Sequence, residues 1–83
     1  MFFSSAAAID PSAGALEATL EEAEVKRTIA ANAGRVVVAA DSSKLGIRSA
    51  AVALDWDRID ILVTELEPCD PRLDPYRSLA RVL

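Results

Sequence analysis

Four adjacent residues, Asp41-Ser42-Ser43-Lys44, carry most of the chemistry that this 83-residue chain offers. They place a carboxylate, two hydroxyls and an ammonium side by side. A carboxylate accepts hydrogen bonds from hydroxyls and a lysine neutralises phosphate, so the set suits a polyhydroxylated anion such as a sugar phosphate. The same residue types also make an ordinary turn or cap, because Asp and Ser side chains bond readily to nearby backbone N–H groups. Lys26-Arg27 is the second candidate; on a helix it also reads as a surface basic pair matched to an acidic first turn. The chain has no histidine and one cysteine. That leaves no Cys/His zinc site, no disulfide framework and no His-based triad. No metal, cofactor or catalytic residue is therefore expected, and Cys69 reads as a passive, partly buried thiol.

The elements that must position these groups follow from pattern. Val36-Val37-Val38-Ala39-Ala40 is a continuous apolar run rich in β-branched residues. It does not alternate, which predicts a strand buried on both faces, in a parallel sheet covered by helices. It ends abruptly at Asp41, and ligands of open α/β sheets bind beyond the carboxyl ends of the strands. Residues 59–64 predict a second buried strand whose start Asp60 interrupts. Residues 49–54 fit a short strand or a helical turn equally well. Thr19 and Glu22 form a capping box for a helix over 20–33, with Glu22 and Lys26 as an i,i+4 pair and Gly34 just past its end. Phe2-Phe3 ends a short strand, and Asp10-Pro11-Ser12-Ala13-Gly14 is turn chemistry. In the tail, Asp74-Pro75 predicts a helix start. Leu73, Tyr76, Leu79, Ala80 and Leu83 then share one stripe, with Arg77 and Arg81 together on another. The expected fold class is α/β: a partial, mainly parallel sheet with flanking helices.

Composition narrows the function classes. Lys and Arg total 9 against 13 Asp and Glu, a net charge of −4, which is a poor footprint for nucleic acid on its own. With 52% hydrophobic residues the chain is too apolar for a disordered tail. No apolar run reaches the roughly 20 residues a membrane helix needs, and no basic region precedes Phe2-Phe3 as a signal peptide requires. A cytoplasmic location is expected.

A family resemblance rests on three ordered motifs. Leu20-Glu21-Glu22-Ala23-Glu24-Val25-Lys26-Arg27, followed by Arg35-Val36-Val37-Val38-Ala39-Ala40-Asp41-Ser42-Ser43-Lys44-Leu45-Gly46, resembles the C-terminal half of DeoR-family transcriptional regulators. Asp57-Arg58-Ile59-Asp60-Ile61-Leu62-Val63-Thr64-Glu65 resembles their following strand, commonly IDxLITD. Ile9-Asp10-Pro11 with Gly14 resembles the turn before their helix. The match is strongest over 3–65. The resemblance implies a domain similar in fold to ribose-5-phosphate isomerase that senses a phosphorylated sugar or related metabolite. In such regulators this domain follows a winged helix-turn-helix. By matched motif, Asp41, Ser42 and Lys44 would lie at the effector pocket, with Lys26 as a further contributor from the helix.

Departures from the family shape the expectations. No winged helix-turn-helix and none of the family's earlier phosphate-cradling loops occur in residues 1–83, and Ser5 and Ala8 stand where glycines are usual. The chain is thus expected to be a single partial sensor domain, a truncated fragment unable to bind DNA alone. One alternative is a ligand-free structural fragment whose exposed sheet edges favour a homo-oligomer. The other is a sugar-phosphate isomerase. The acidic residues of those enzymes are replaced here by Ser and Ala over 4–8 and by Val25, so a non-enzyme is expected.

Overall fold

The computed structural model describes residues 1–83. Seven short strands and one α-helix run in the order β1 (Phe2–Ser5), β2 (Ala8–Asp10), β3 (Gly14–Glu17), α1 (Leu20–Ala31), β4 (Val36–Ala39), β5 (Ala51–Leu54), β6 (Ile61–Val63) and β7 (Arg81–Val82). Strands β1, β4, β6 and β7 form one parallel sheet in the order β1-β4-β6-β7. Strands β2, β3 and β5 form a smaller antiparallel sheet. The expected α/β class is what the chain adopts.

The valine run becomes β4, the strand with a neighbour on each edge, and Val36, Val37 and Val38 are all buried. Register divides its residues between two faces. Val36 and Val38 join Leu62, Phe2 and Val82 in the core, where they meet the alanine face of α1 and residues of the smaller sheet. Val37 aligns with Phe3 and Ile61 on the other face, outside that core. Phe3 remains 70% exposed there. The layer of helices expected on both sides is present on one only, because the single α-helix packs against β5, β3 and β1.

Helix α1 starts as the capping box predicts. Thr19 Oγ1 accepts from the Glu22 backbone N–H at 3.2 Å, and the Thr19 hydroxyl donates to Glu22 Oε1 at 3.0 Å. The far end stops two residues earlier than the sequence suggested. Asn32 is the C-cap, its side chain donates to the Thr28 carbonyl, and Gly34 does not take positive φ. The buried stripe contains Ala23 and Ala30, small enough to bring the helix close to the strands.

Two regions depart from the sequence expectation. Residues 8–17 form a hairpin, and β1 continues through Ser5 instead of ending at Phe3. The Asp10 carboxylate accepts from the backbone N–H groups of Ser12 (2.9 Å) and Ala13 (2.7 Å), so the recognised turn chemistry serves a strand reversal. The tail holds no α-helix. Residues Pro71–Tyr76 form a 3-10 turn capped by Asp70, and the chain then straightens into β7. Pro75 would tolerate the first turn of a helix, so what diverts the chain is the open edge of β6, with which Arg81 and Val82 pair. Arg81 N–H instead donates to the Asp60 carbonyl (3.1 Å) and Leu83 N–H to that of Leu62 (2.9 Å), satisfying the edge of β6. Of the predicted stripe, Leu73 and Tyr76 are buried, whereas Leu83 is exposed. Arg77 bonds Asp74 at 3.0 Å and Arg81 lies on β7, so the two do not share a helix face. Residues 51–54, undecided from pattern, are strand β5, and Cys69 is exposed instead of partly buried.

The tail is locked by aromatic packing. The Trp56 and Tyr76 rings meet at 5.8 Å, and Trp56 Nε1 donates to the Asp10 carbonyl at 3.0 Å. This joins the hairpin turn, the segment before β6 and the tail. Gly14, at the start of β3, has φ +108°, and a Cβ there would collide with the Leu54 carbonyl oxygen. Gly14→Ala should lower stability by about 3 kcal/mol or more, combining left-handed strain with a backbone clash. Gly46, at φ +75° with open space around it, is the control. Gly46→Ala should cost only about 1 kcal/mol, both changes being read by urea titration.

Candidate functional site

Three parallel strands end in register. Ser5 aligns with Ala39, and Ala39 aligns with Val63. The chains leaving Ala39 and Val63 carry polar side chains, whereas Ser5 is followed by three alanines and its end of the edge is reached by Lys26 from α1. Parallel pairing gathers these groups into one rim at the carboxyl edge of the sheet, since every crossover must begin at that same edge.

From β4 the chain passes through Ala40 into Asp41 and a 3-10 turn over Ser42–Lys44. Asp41 caps the turn. Its carboxylate accepts from the Ser43 N–H at 3.0 Å and also from the Ser43 hydroxyl. From β6 the chain passes through Thr64 into Glu65. The Glu65 carboxylate accepts from the Ser42 N–H (2.7 Å), the Ser42 hydroxyl (2.7 Å) and the Thr64 hydroxyl (2.9 Å). The two loops are thereby tied together across the ends of β4 and β6. Between them lies an open depression of about 430 Å³ lined by Ala39, Ala40, Asp41, Val63, Thr64 and Glu65.

The two lysine candidates are not among the residues that line this depression. Lys44 ends the 3-10 turn, half-buried, and forms no salt bridge. Lys26 reaches the rim at β1. Its ammonium donates to the Ser5 carbonyl at 2.6 Å and to Glu17 Oε2 at 2.9 Å. The Lys26 and Glu17 side chains are only 18% and 6% exposed, so this is a largely buried ion pair. The predicted Glu22–Lys26 pair is replaced by it, because Lys26 lies on the inward stripe of α1 with Ala23 and Ala30. Glu17 Oε2 also accepts from the Ala7 N–H at 3.3 Å, which fixes the exit from β1.

Sequence reasoning did not single out Glu65 or Glu17. Glu65 carried a readable signal: an acidic residue just past a buried strand, as Asp41 stands just past β4. Glu17 carried none, since its partners come from β1 and the middle of α1.

The electrostatics make Glu65 a hydrogen-bond acceptor and a poor proton abstractor. The Ser42 hydroxyl foremost, then that of Thr64, holds the Glu65 carboxyl at about 2 against an ordinary 4.5. A carboxylate so strongly stabilised is a weak base at neutral pH. No group of His, Cys, Asp and Glu is arranged to hold a metal. No helix is long and apolar enough to cross a membrane.

Comparison with known proteins adds one finding. The family model described as the DeoR C terminal sensor domain matches residues 1–66. No curated protein matches the chain.

Two outcomes test this geometry. Because the folded value of Glu65 is the lowered one, its ionised form adds stability at neutral pH, and that gain is lost as pH falls from about 4.5 towards 2. An NMR titration of the Glu65 carboxyl should give a midpoint near 2, moving up towards 4.5 in Ser42→Ala. Separately, Lys26→Met strands the Glu17 carboxylate in the interior and should destabilise the fold by about 3 kcal/mol in urea.

Proposed function

The chain belongs to the DeoR C-terminal sensor-domain family, and from that premise we propose that its polar rim recognises a phosphorylated sugar or a closely related metabolite. Asp41 and Glu65 accept hydrogen bonds from the ligand's hydroxyls, Ser42 keeps the two loops in register, and the Lys44 ammonium neutralises the phosphate. Lys26 contributes by holding the end of β1 in place through Glu17. The observation that carries this reading is the alignment of Ser5, Ala39 and Val63, which brings the loops bearing these groups to one edge. Binding there serves transcription regulation of carbohydrate metabolism in the cytoplasm, as a sensor and not an enzyme. The 83 residues do not read operator DNA themselves. Their net charge is −4, and their one α-helix carries Glu21 and Glu24 on its solvent side.

A second reading has its own observation. Phe3 is 70% exposed and Leu83 52% exposed, at the uncovered face and edge of the parallel sheet. A second copy of the chain burying this face would make a homo-oligomer in which the sheet has a structural role. Light scattering of wild type and Phe3→Ser checks it, since an oligomer built this way should dissociate in the variant.

The sensor reading is tested by thermal unfolding with ribose 5-phosphate and with a hexose phosphate. A ligand at 100 times its Kd should add about 2.7 kcal/mol of stability, and the gain should grow with concentration. Lys44→Ala and Asp41→Ala should abolish the gain while leaving unliganded stability within about 1 kcal/mol, as expected of exposed or half-exposed positions. No concentration-dependent gain with either phosphate would overturn the reading.

A further inference from the structure

A separate cleft lies between α1 and β5. It measures about 300 Å³ and is lined by Arg27 and Arg58, by Asp55, and by the apolar Ala30, Val52 and Leu54 among others. It shares no residue with the depression at the ends of β4 and β6.

The cleft brings together two of the chain's six cations that form no salt bridge. Three cations are neutralised internally: Lys26 by Glu17, Arg72 by Asp70 and Arg77 by Asp74. Arg27 and Arg58 form no salt bridge, although the chain carries 13 carboxylate residues against 9 cations. Two guanidiniums therefore line one concavity whose single carboxylate, Asp55, forms a salt bridge with neither, one from the middle of α1 and one from the 3-10 turn over Trp56–Arg58.

Physical chemistry specifies what such a concavity takes. Like charges brought to one cavity repel, and the repulsion is relieved by an anion bound between them. Guanidinium forks match the planar oxygen pairs of carboxylates and the tetrahedral oxygens of phosphates, and charge-assisted bonds of this kind are about twice as strong as neutral ones. The apolar side chains beside the arginines accommodate an organic body, and the volume sits at the small end of the roughly 300–1,000 Å³ common for ligand pockets. Arg27 is adjacent to Lys26 but turned about 100° around the helix, so the two cations serve different places.

We propose that the α1–β5 cleft is a binding site for a small organic oxyanion, a phosphate ester or carboxylate, held between Arg27 and Arg58. It is distinct from the effector rim and does not depend on the sensor reading.

The test uses the 83-residue chain with two probes, inorganic phosphate and succinate, at ionic strength held constant with chloride. Calorimetry should detect saturable binding of at least one, and which of them binds identifies the source of the oxyanion. Affinity should fall at least ten-fold in Arg27→Gln and in Arg58→Gln, and remain unchanged in Arg81→Gln, an exposed cation on β7 outside the cleft. A second measurement needs no variant. Phenylglyoxal modifies accessible arginines, and the bound probe should protect Arg27 and Arg58 while leaving exposed Arg35 and Arg81 reactive, as read by peptide mass spectrometry. Absence of saturable binding, binding indifferent to both arginine substitutions, or equal protection of all four arginines would each overturn the proposal. Loss of binding in Lys44→Ala alone would also overturn it while favouring the effector rim, so the two sites fail separately.

Discussion

The parallel pairing of β1, β4 and β6 is the constraint on which the rest of the structure depends. Parallel strands cannot be joined by tight turns, so each must be followed by a crossover that leaves from the same edge. Here the strands also end in register, at Ser5, Ala39 and Val63. Whatever residues come next are gathered into one row. The chain uses that row for its densest polar chemistry: the Lys26 contact to Ser5, the Asp41 turn, and Glu65 clasping Ser42. None of these groups is close to another in sequence except within the 41–44 turn. Their proximity is a property of the sheet.

Holding such a small sheet in place takes unusual economy. The interior is largely Ala, Val and Leu, and α1 presents alanines to it. Small residues permit close approach, but each buries little area, so packing alone stabilises the helix weakly. The Lys26–Glu17 pair adds a specific tie among α1, β3 and β1. A charge pair of that kind contributes more to fixing one arrangement than to net stability, because desolvation offsets much of the attraction. The tail supplies the remaining closure through β7 and through Tyr76 against Trp56. Residues 67–83 lie beyond the family match, yet Leu73 and Tyr76 are among the most buried side chains.

What was legible in the sequence was what local physics decides. The valine run could only be a buried strand, and the Thr19–Glu22 cap marked the helix start to the residue. The loop at Asp41 was placed correctly because a buried strand must end before an acidic turn. The hairpin at 8–17 was missed because Ala8 and Ala15 carry little strand preference and the pairing partners are what make them strands. The tail was misread because its apolar spacing fits a helix, whereas the open edge of β6 decides otherwise by pairing with residues 81 and 82. At the rim, Asp41, Ser42, Lys44 and Lys26 were all named from sequence. The structure gathers Asp41 and Ser42 with Glu65, leaves Lys44 at the end of the turn, and commits Lys26 to Glu17. Long-range partners of that kind leave no trace in local pattern.

The central claim is that a sensor-domain lineage and a rim built by strand register together make one effector site. Backbone amide NMR with ribose 5-phosphate tests it most directly, since every loop of the rim reports separately. The account predicts saturable shifts clustered on Ser42, Ser43, Lys44, Thr64 and Glu65, the two loops moving with one common Kd. Shifts that do not saturate, or that fall away from both loops, would contradict it.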